Sequence, residues 1–282
     1  MSPDAELRVE AIKRFGTYGA WGWFKQFPAD QVARMEEQGL GTIWLGGSPK
    51  HLKPIRDVLA ATSTITVATG IVNIWNTDAQ AIGEEWIELE ADFPGRFFLG
   101  IGAGHPEANA DYSSPYDSVS RYLDVLDKVG VPAHRRLLAA LGPRMLRLSA
   151  DRSLGAHPYL TPSSHTKIAR ETVGNGVLLA PEHKVVVDAD PVAARAIGRP
   201  PVDQPYLHLR NYVSNLKRLG FTDADIADGG SDRLIDALVA HGDAASVHRQ
   251  IEDHLVAGAD HVAIQVLGSK DPTVELAAIL AD

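Results

Sequence analysis

The chain of 282 residues contains no cysteine. Disulfides and thiolate chemistry are excluded, and the composition fits a reducing cytoplasm. Long apolar runs are missing too. None approaches the roughly 18 residues that a membrane span needs. The stretch Met1 to Arg14 is charged and polar, without the apolar core of a signal peptide. Positive charge is in deficit, and the net charge is -9. Nucleic acid is therefore not an expected partner, because phosphate backbones want clustered Lys and Arg. The nearest cluster, His134-Arg135-Arg136, is too short for a polyanion and reads as a solvated turn. There is no G-x-S-x-G elbow and no P-loop. Paired carboxylates for glycoside hydrolysis are missing. His105, His157 and His183 lack the spacing of zinc ligands, so no metal is expected.

What is present is a regular alternation. The content is 45% hydrophobic and 22% charged, which suits a globular protein. Apolar strand-like runs cover Arg14 to Trp21, Thr42 to Leu45, Ile65 to Gly70, Phe97 to Ile101 and Arg136 to Leu141. They continue with Ala156 to Tyr159, Val177 to Leu179 with Val185 to Val187, and His261 to Leu267. Amphipathic helical patterns lie between them. One opens on Thr77-Asp78-Ala79-Gln80, read as a capping box with Thr77 as cap, and shows Ile82, Trp86 and Leu89 on one face. Another starts near Asp243, with Val247, Ile251 and Leu255 in line and Gly258 at its end.

Roughly eight strand–helix repeats match a (β/α)8 TIM barrel, which typically takes about 250 residues. A doubly wound sheet is the runner-up, but the first run lacks G-x-G-x-x-G. No linker divides the chain, so residues 1–282 read as one barrel domain. Residues 188–241 are mostly polar and helical and read as an insertion after strand seven, beside the barrel mouth.

Barrel enzymes place their chemistry at the C-terminal strand ends. Here those ends are rich in glycine, small residues and histidine, and poor in carboxylates. They include Gly46-Gly47-Ser48, Thr69-Gly70-Ile71-Val72-Asn73, Gly102-Ala103-Gly104-His105, Leu141-Gly142-Pro143-Arg144, His157-Pro158-Tyr159 and Ala180-Pro181-Glu182-His183. The run Phe97 to Ile101 is apolar throughout, as for a strand buried on both faces, and it enters a glycine-rich loop carrying His105. The plainer alternative is a structural turn with a hydrogen-bonded histidine. Gly142 before a helix offers backbone N–H groups to a phosphate, or forms an ordinary βα turn. Together the ends outline a small-lined pocket suited to a flat anionic cofactor.

Several segments carry a resemblance. They are Val67 to Trp75, Pro94 to Gly102, Ala139 to Met145, Gly155 to Tyr159, Gly229 to Leu234 and Ala257 to Val262. In this order they resemble the luciferase-like monooxygenase superfamily, and more closely its branch of actinobacterial oxidoreductases dependent on coenzyme F420, a deazaflavin. The resemblance implies a non-prolyl cis peptide at Gly70-Ile71 supporting the deazaflavin ring. It implies cofactor contacts from Gly46, Thr69, Gly70, Ile71, Asn73, Gly102, Ala103, Gly104, Leu141, Gly142, Pro143 and Arg144. His105 aligns with an acidic proton donor of sugar-phosphate dehydrogenase relatives, and an imidazole can do that work near neutral pH. His157 is the second candidate. Those relatives carry an Asp-His pair after strand two, where this chain has Gly47-Ser48, so a sugar phosphate is not implied as substrate. The expected activity is hydride transfer between F420 and a small organic molecule, in a cytoplasmic homodimer. The alternatives are an FMN-dependent monooxygenase and a non-catalytic deazaflavin-binding protein.

Overall fold

Apolar runs with side chains pointing alternately to two faces can bury both faces only between a packed interior and a layer of helices. The chain does this. The computed structural model describes residues 3–25, 27–104 and 114–281. Its strands are β1 (Tyr18–Trp23), β2 (Thr42–Gly46), β3 (Thr66–Thr69), β4 (Val72–Asn73), β5 (Phe97–Gly102), β6 (Arg136–Leu138), β7 (Gly155–Ala156), β8 (Leu178–Leu179), β9 (Glu182–Val187), β10 (Val239–Gly242) and β11 (Val262–Val266). From β1 to β8 the strands pair in parallel in chain order, with β4 an extra partner of β5. β8 and β9 are one stretch of chain, separated only by Ala180-Pro181. Its first part pairs with β7. Its second part pairs with β11, which returns to β1. That stretch joins the two edges of the sheet and curls it into a TIM-type barrel.

Side-chain alternation decides what fills each layer. Trp44, Ala68, Phe98, Leu137 and Ala263 point inward with Trp21 and Phe15. Their neighbours Ile43, Leu45, Val67, Phe97 and Leu99 point outward, against Ile55, Leu59, Ile82, Trp86 and Leu89 of the surrounding helices. The Phe15 ring lies 4.7 Å from that of Phe98 and 5.6 Å from that of Trp44. Trp44 Nε1 donates to His261 Nε2 at 2.9 Å.

Several expectations need correction. The first run is a strand only from Tyr18; before it stands a helix, Pro3–Lys13. The helix Ala79–Asp92 is capped by Asp78, whose carboxylate accepts from Ala81 N. Thr77 instead donates to Asn73 O, because the bulge after β3 brings that carbonyl within reach. Arg135 and Arg136 are buried, not solvated. Arg135 is held by Glu90 at 2.6 Å and Arg136 by Asp127 at 2.6 Å and by Val131 O. The seventh strand does not end at His183 but runs to Val187, and β10 is an added strand beside it. The segment 188–241 is largely helical, with helices Pro191–Asp203, Arg210–Arg218 and Asp232–Leu238 around their own apolar cluster.

Candidate active site

The mouth of the barrel is built on missing side chains. A Cβ on Gly46 would meet Trp21 Cζ2 at 2.2 Å, and one on Gly70 would meet Trp21 Nε1 at 2.7 Å. The two glycines therefore let one indole lie across the ends of β2 and β3 as a floor. Next to it the Gly70–Ile71 peptide is cis. Ile71 reaches the position where Gly102 has no side chain, 3.3 Å from its would-be Cβ, with Ala139 at 2.9 Å. Ile71, Gly102 and Ala139 thus converge from three neighbouring strand ends.

Hydrogen bonds hold this wall. Asn73 N donates to Ser48 Oγ at 2.7 Å, and Asn73 Oδ1 accepts from Trp75 N. Trp75 Nε1 donates to Ala103 O at 2.6 Å. Thr69 is fully buried, and its hydroxyl both donates to Gly100 O and accepts from Gly100 N. Its backbone shapes the mouth, while its side chain is committed to the neighbouring strand. Gly104 continues the loop at a φ of 58°. His105 lies outside the described residues.

The wall leads on to Leu141 and Gly142. Leu141 O is held by His165 Nε2 at 2.9 Å. Gly142 caps the helix Pro143–Arg152 without any side-chain hydrogen bond. Among the described residues, the group near a Cβ built there is Arg218 Nη2, at 3.9 Å. A guanidinium, which also donates to Asn215 Oδ1, thus stands close to a helix N-terminus, a combination that suits a phosphate. Arg144 turns away, its guanidinium 4.6 Å from the Tyr116 ring.

His157 sits beneath the floor. Its ring stacks on Trp44 at 4.0 Å and 11°. Nδ1 donates to Ala180 O at 2.7 Å, which leaves a lone pair on Nε2. Burial pushes its pKa down to about 3. The neutral ring has no proton to give at Nε2. His183 faces the other way, toward the helices, where its Nδ1 meets His254 Nε2 at 3.0 Å.

The strand-end inventory included Glu182 but not its partner Lys184. Glu182 and Lys184, two residues apart on β9, both point into the barrel and are fully buried as an ion pair at 3.1 Å. Burial raises the Glu182 pKa and lowers that of Lys184, and their mutual attraction opposes both shifts. Lys184 and Tyr159 both donate to Gln265 Oε1, and the ammonium lies 4.0 Å from the Tyr159 ring. The two-residue spacing inside an apolar strand was the available signal. Trp21, Tyr206 and Arg218 carry no such signal, since only the fold brings them to the mouth. The Tyr206 ring comes from the 188–241 segment to within 5.4 Å of the Tyr159 ring.

Residues 27–129 match the family model described as luciferase-like monooxygenase. That match covers little more than a third of the 282-residue chain. A search of curated proteins finds no match. Among solved structures, the chain is similar to an F420-dependent secondary alcohol dehydrogenase in complex with an F420–acetone adduct. The TM-score is 0.70 at 15% identity, over 94% of this chain and 96% of the other. It is similar to the coenzyme F420 dependent tetrahydromethanopterin reductase of Methanopyrus kandleri, with TM-score 0.67 and 16% identity over 93% and 97%. It is similar as well to a type II Baeyer–Villiger monooxygenase from Pseudomonas putida in complex with FMN, with TM-score 0.67 and 13% identity over 93% and 94%. At these identities the likeness is one of fold, and it shows a shared barrel. Among the described residues, no helix is long and apolar enough to cross a membrane.

Proposed function

We propose that this luciferase-like protein is an oxidoreductase that transfers a hydride between coenzyme F420 and a small organic substrate at the barrel mouth. The observation that carries this reading is one continuous wall. It runs from Ile71 over Gly102 and Ala139 to Gly142, with Arg218 beside its far end. Small and apolar positions suit a flat ring, and the uncapped helix start suits the anionic end of the same molecule. The bound deazaflavin supplies the redox chemistry, and the protein binds, orients and excludes water.

Each chain residue then has a task. Gly46 and Gly70 admit the Trp21 floor. Ile71, Gly102, Ala103, Gly104 and Ala139 line the ring, with Thr69 and Asn73 shaping the strand end beneath it. Leu141, Gly142 and Pro143 hold the phosphate end with Arg218, while Arg144 lies on the Tyr116 ring. His105, next in sequence after Gly104, is the proton-transfer residue, and neutral His157 supports the floor. A cytoplasmic homodimer completes the proposal.

A second reading is an FMN-dependent monooxygenase, favoured by the family description and by the FMN-bound neighbour. Oxygen separates the two. Reduced F420 is incubated with the protein and a panel of carbonyl acceptors, with and without air. Protein-dependent oxidation of F420 that needs an acceptor but no oxygen is expected. Turnover only with reduced FMN and oxygen would establish the second reading instead.

A further inference from the structure

Two buried side-chain nitrogens under the mouth have no hydrogen-bond partner among the described residues: Trp21 Nε1 and His157 Nε2. Both lie against Gly70: a Cβ built there would be 2.7 Å from the first and 3.0 Å from the second. The two nitrogens are therefore less than about 6 Å apart, a span that one water can bridge.

Their chemistry is complementary. An indole N–H can only donate. His157 Nδ1 already donates to Ala180 O at 2.7 Å, so Nε2 can only accept. The stacking on Trp44 fixes the ring in this orientation. A group that serves both must accept and donate at once. A hydroxyl oxygen does so; a carbonyl, an ammonium or a chloride does not. Buried polar groups left without partners are costly, and ordered water is the usual remedy where space permits.

We propose that Trp21 Nε1 and His157 Nε2 together bind one buried water molecule beneath Gly70. The water accepts from the indole and donates to the imidazole. It ties the Trp21 ring to the barrel interior and so fixes the floor of the mouth. His157 is then a positioning residue that acts through the water on Trp21. The site is independent of which cofactor the mouth holds.

A crystal structure of the ligand-free protein tests this, together with NMR on protein carrying 15N-labelled tryptophan. One density peak is expected within about 3.2 Å of both nitrogens. The Trp21 indole proton should give a through-space cross-peak to a long-lived water. In Trp21→Phe the density peak should disappear. Ordered nitrogens with no density between them would overturn the proposal, as would a direct Trp21–His157 hydrogen bond. A peak unchanged in Trp21→Phe would overturn the indole's part in it. Should that variant fail to fold, the wild-type cross-peak decides alone.

Discussion

At the scale of the residue, burial holds several histidines in their neutral state. The ordinary histidine value of 6.5 falls to about 3 for His157. It falls to about 4 for His183 and for His261. Unfolded, these rings take up protons below about 6.5; folded, they refuse them until the lower values. The unfolded chain thus binds more protons, and stability falls as pH drops through the window from about 6.5 to about 3–4. Each such ring contributes on the order of 2 kcal/mol to the loss by pH 5. The urea midpoint should therefore be clearly lower near pH 5 than near pH 7.5, and His157→Gln should flatten the slope. A midpoint that is flat with pH would mean that these rings are not buried neutral.

The Glu182–Lys184 pair makes a second prediction at this scale. Removing one partner leaves a buried charge uncompensated, at a cost of about 3–5 kcal/mol. Lys184→Met should lose that much in denaturant unfolding. The double variant Glu182→Gln/Lys184→Met should regain most of it. Equal losses in the single and double variants would show that the pairing is not what matters.

At the scale of the element, caps and strand ends decide where things stop. The helix Ala79–Asp92 starts on Asp78, whose Oδ1 accepts from Ala81 N at 3.0 Å. Asp78→Ala should cost about 1 kcal/mol, as typical N-cap losses do. Denaturant unfolding measures it, and a loss below a few tenths would deny Asp78 the cap. The sequence makes this helix plain through Ile82, Trp86 and Leu89. It does not choose between Thr77 and Asp78, because that depends on where Asn73 O comes to lie. The same limit applies to strands. Phe97 to Gly102 is legible because a strand buried on both faces is apolar throughout. β4 and β8, two residues each, exist through their partners rather than their own pattern. Glu182 could be read as inward-facing only once Pro181 is seen to interrupt one strand rather than end it.

At the scale of the whole molecule, the alternation of strand and helix patterns was enough for the barrel. It was enough also for the small residues at the strand ends, Gly46, Gly70 and Gly102. The pairing of Trp21 with Gly46 and Gly70, and of Arg218 with Gly142, spans distant parts of the chain. No local pattern encodes those meetings. The site is therefore legible as a set of strand ends and not as a geometry.

The central claim is that this mouth holds a deazaflavin. Titration of the purified protein with F420, FMN and FAD, followed by fluorescence, measures it directly. F420 fluorescence should be quenched on binding, with FMN held at least about tenfold more weakly, a gap of about 1.4 kcal/mol. Binding of FMN as tight as that of F420, or tighter, would contradict it.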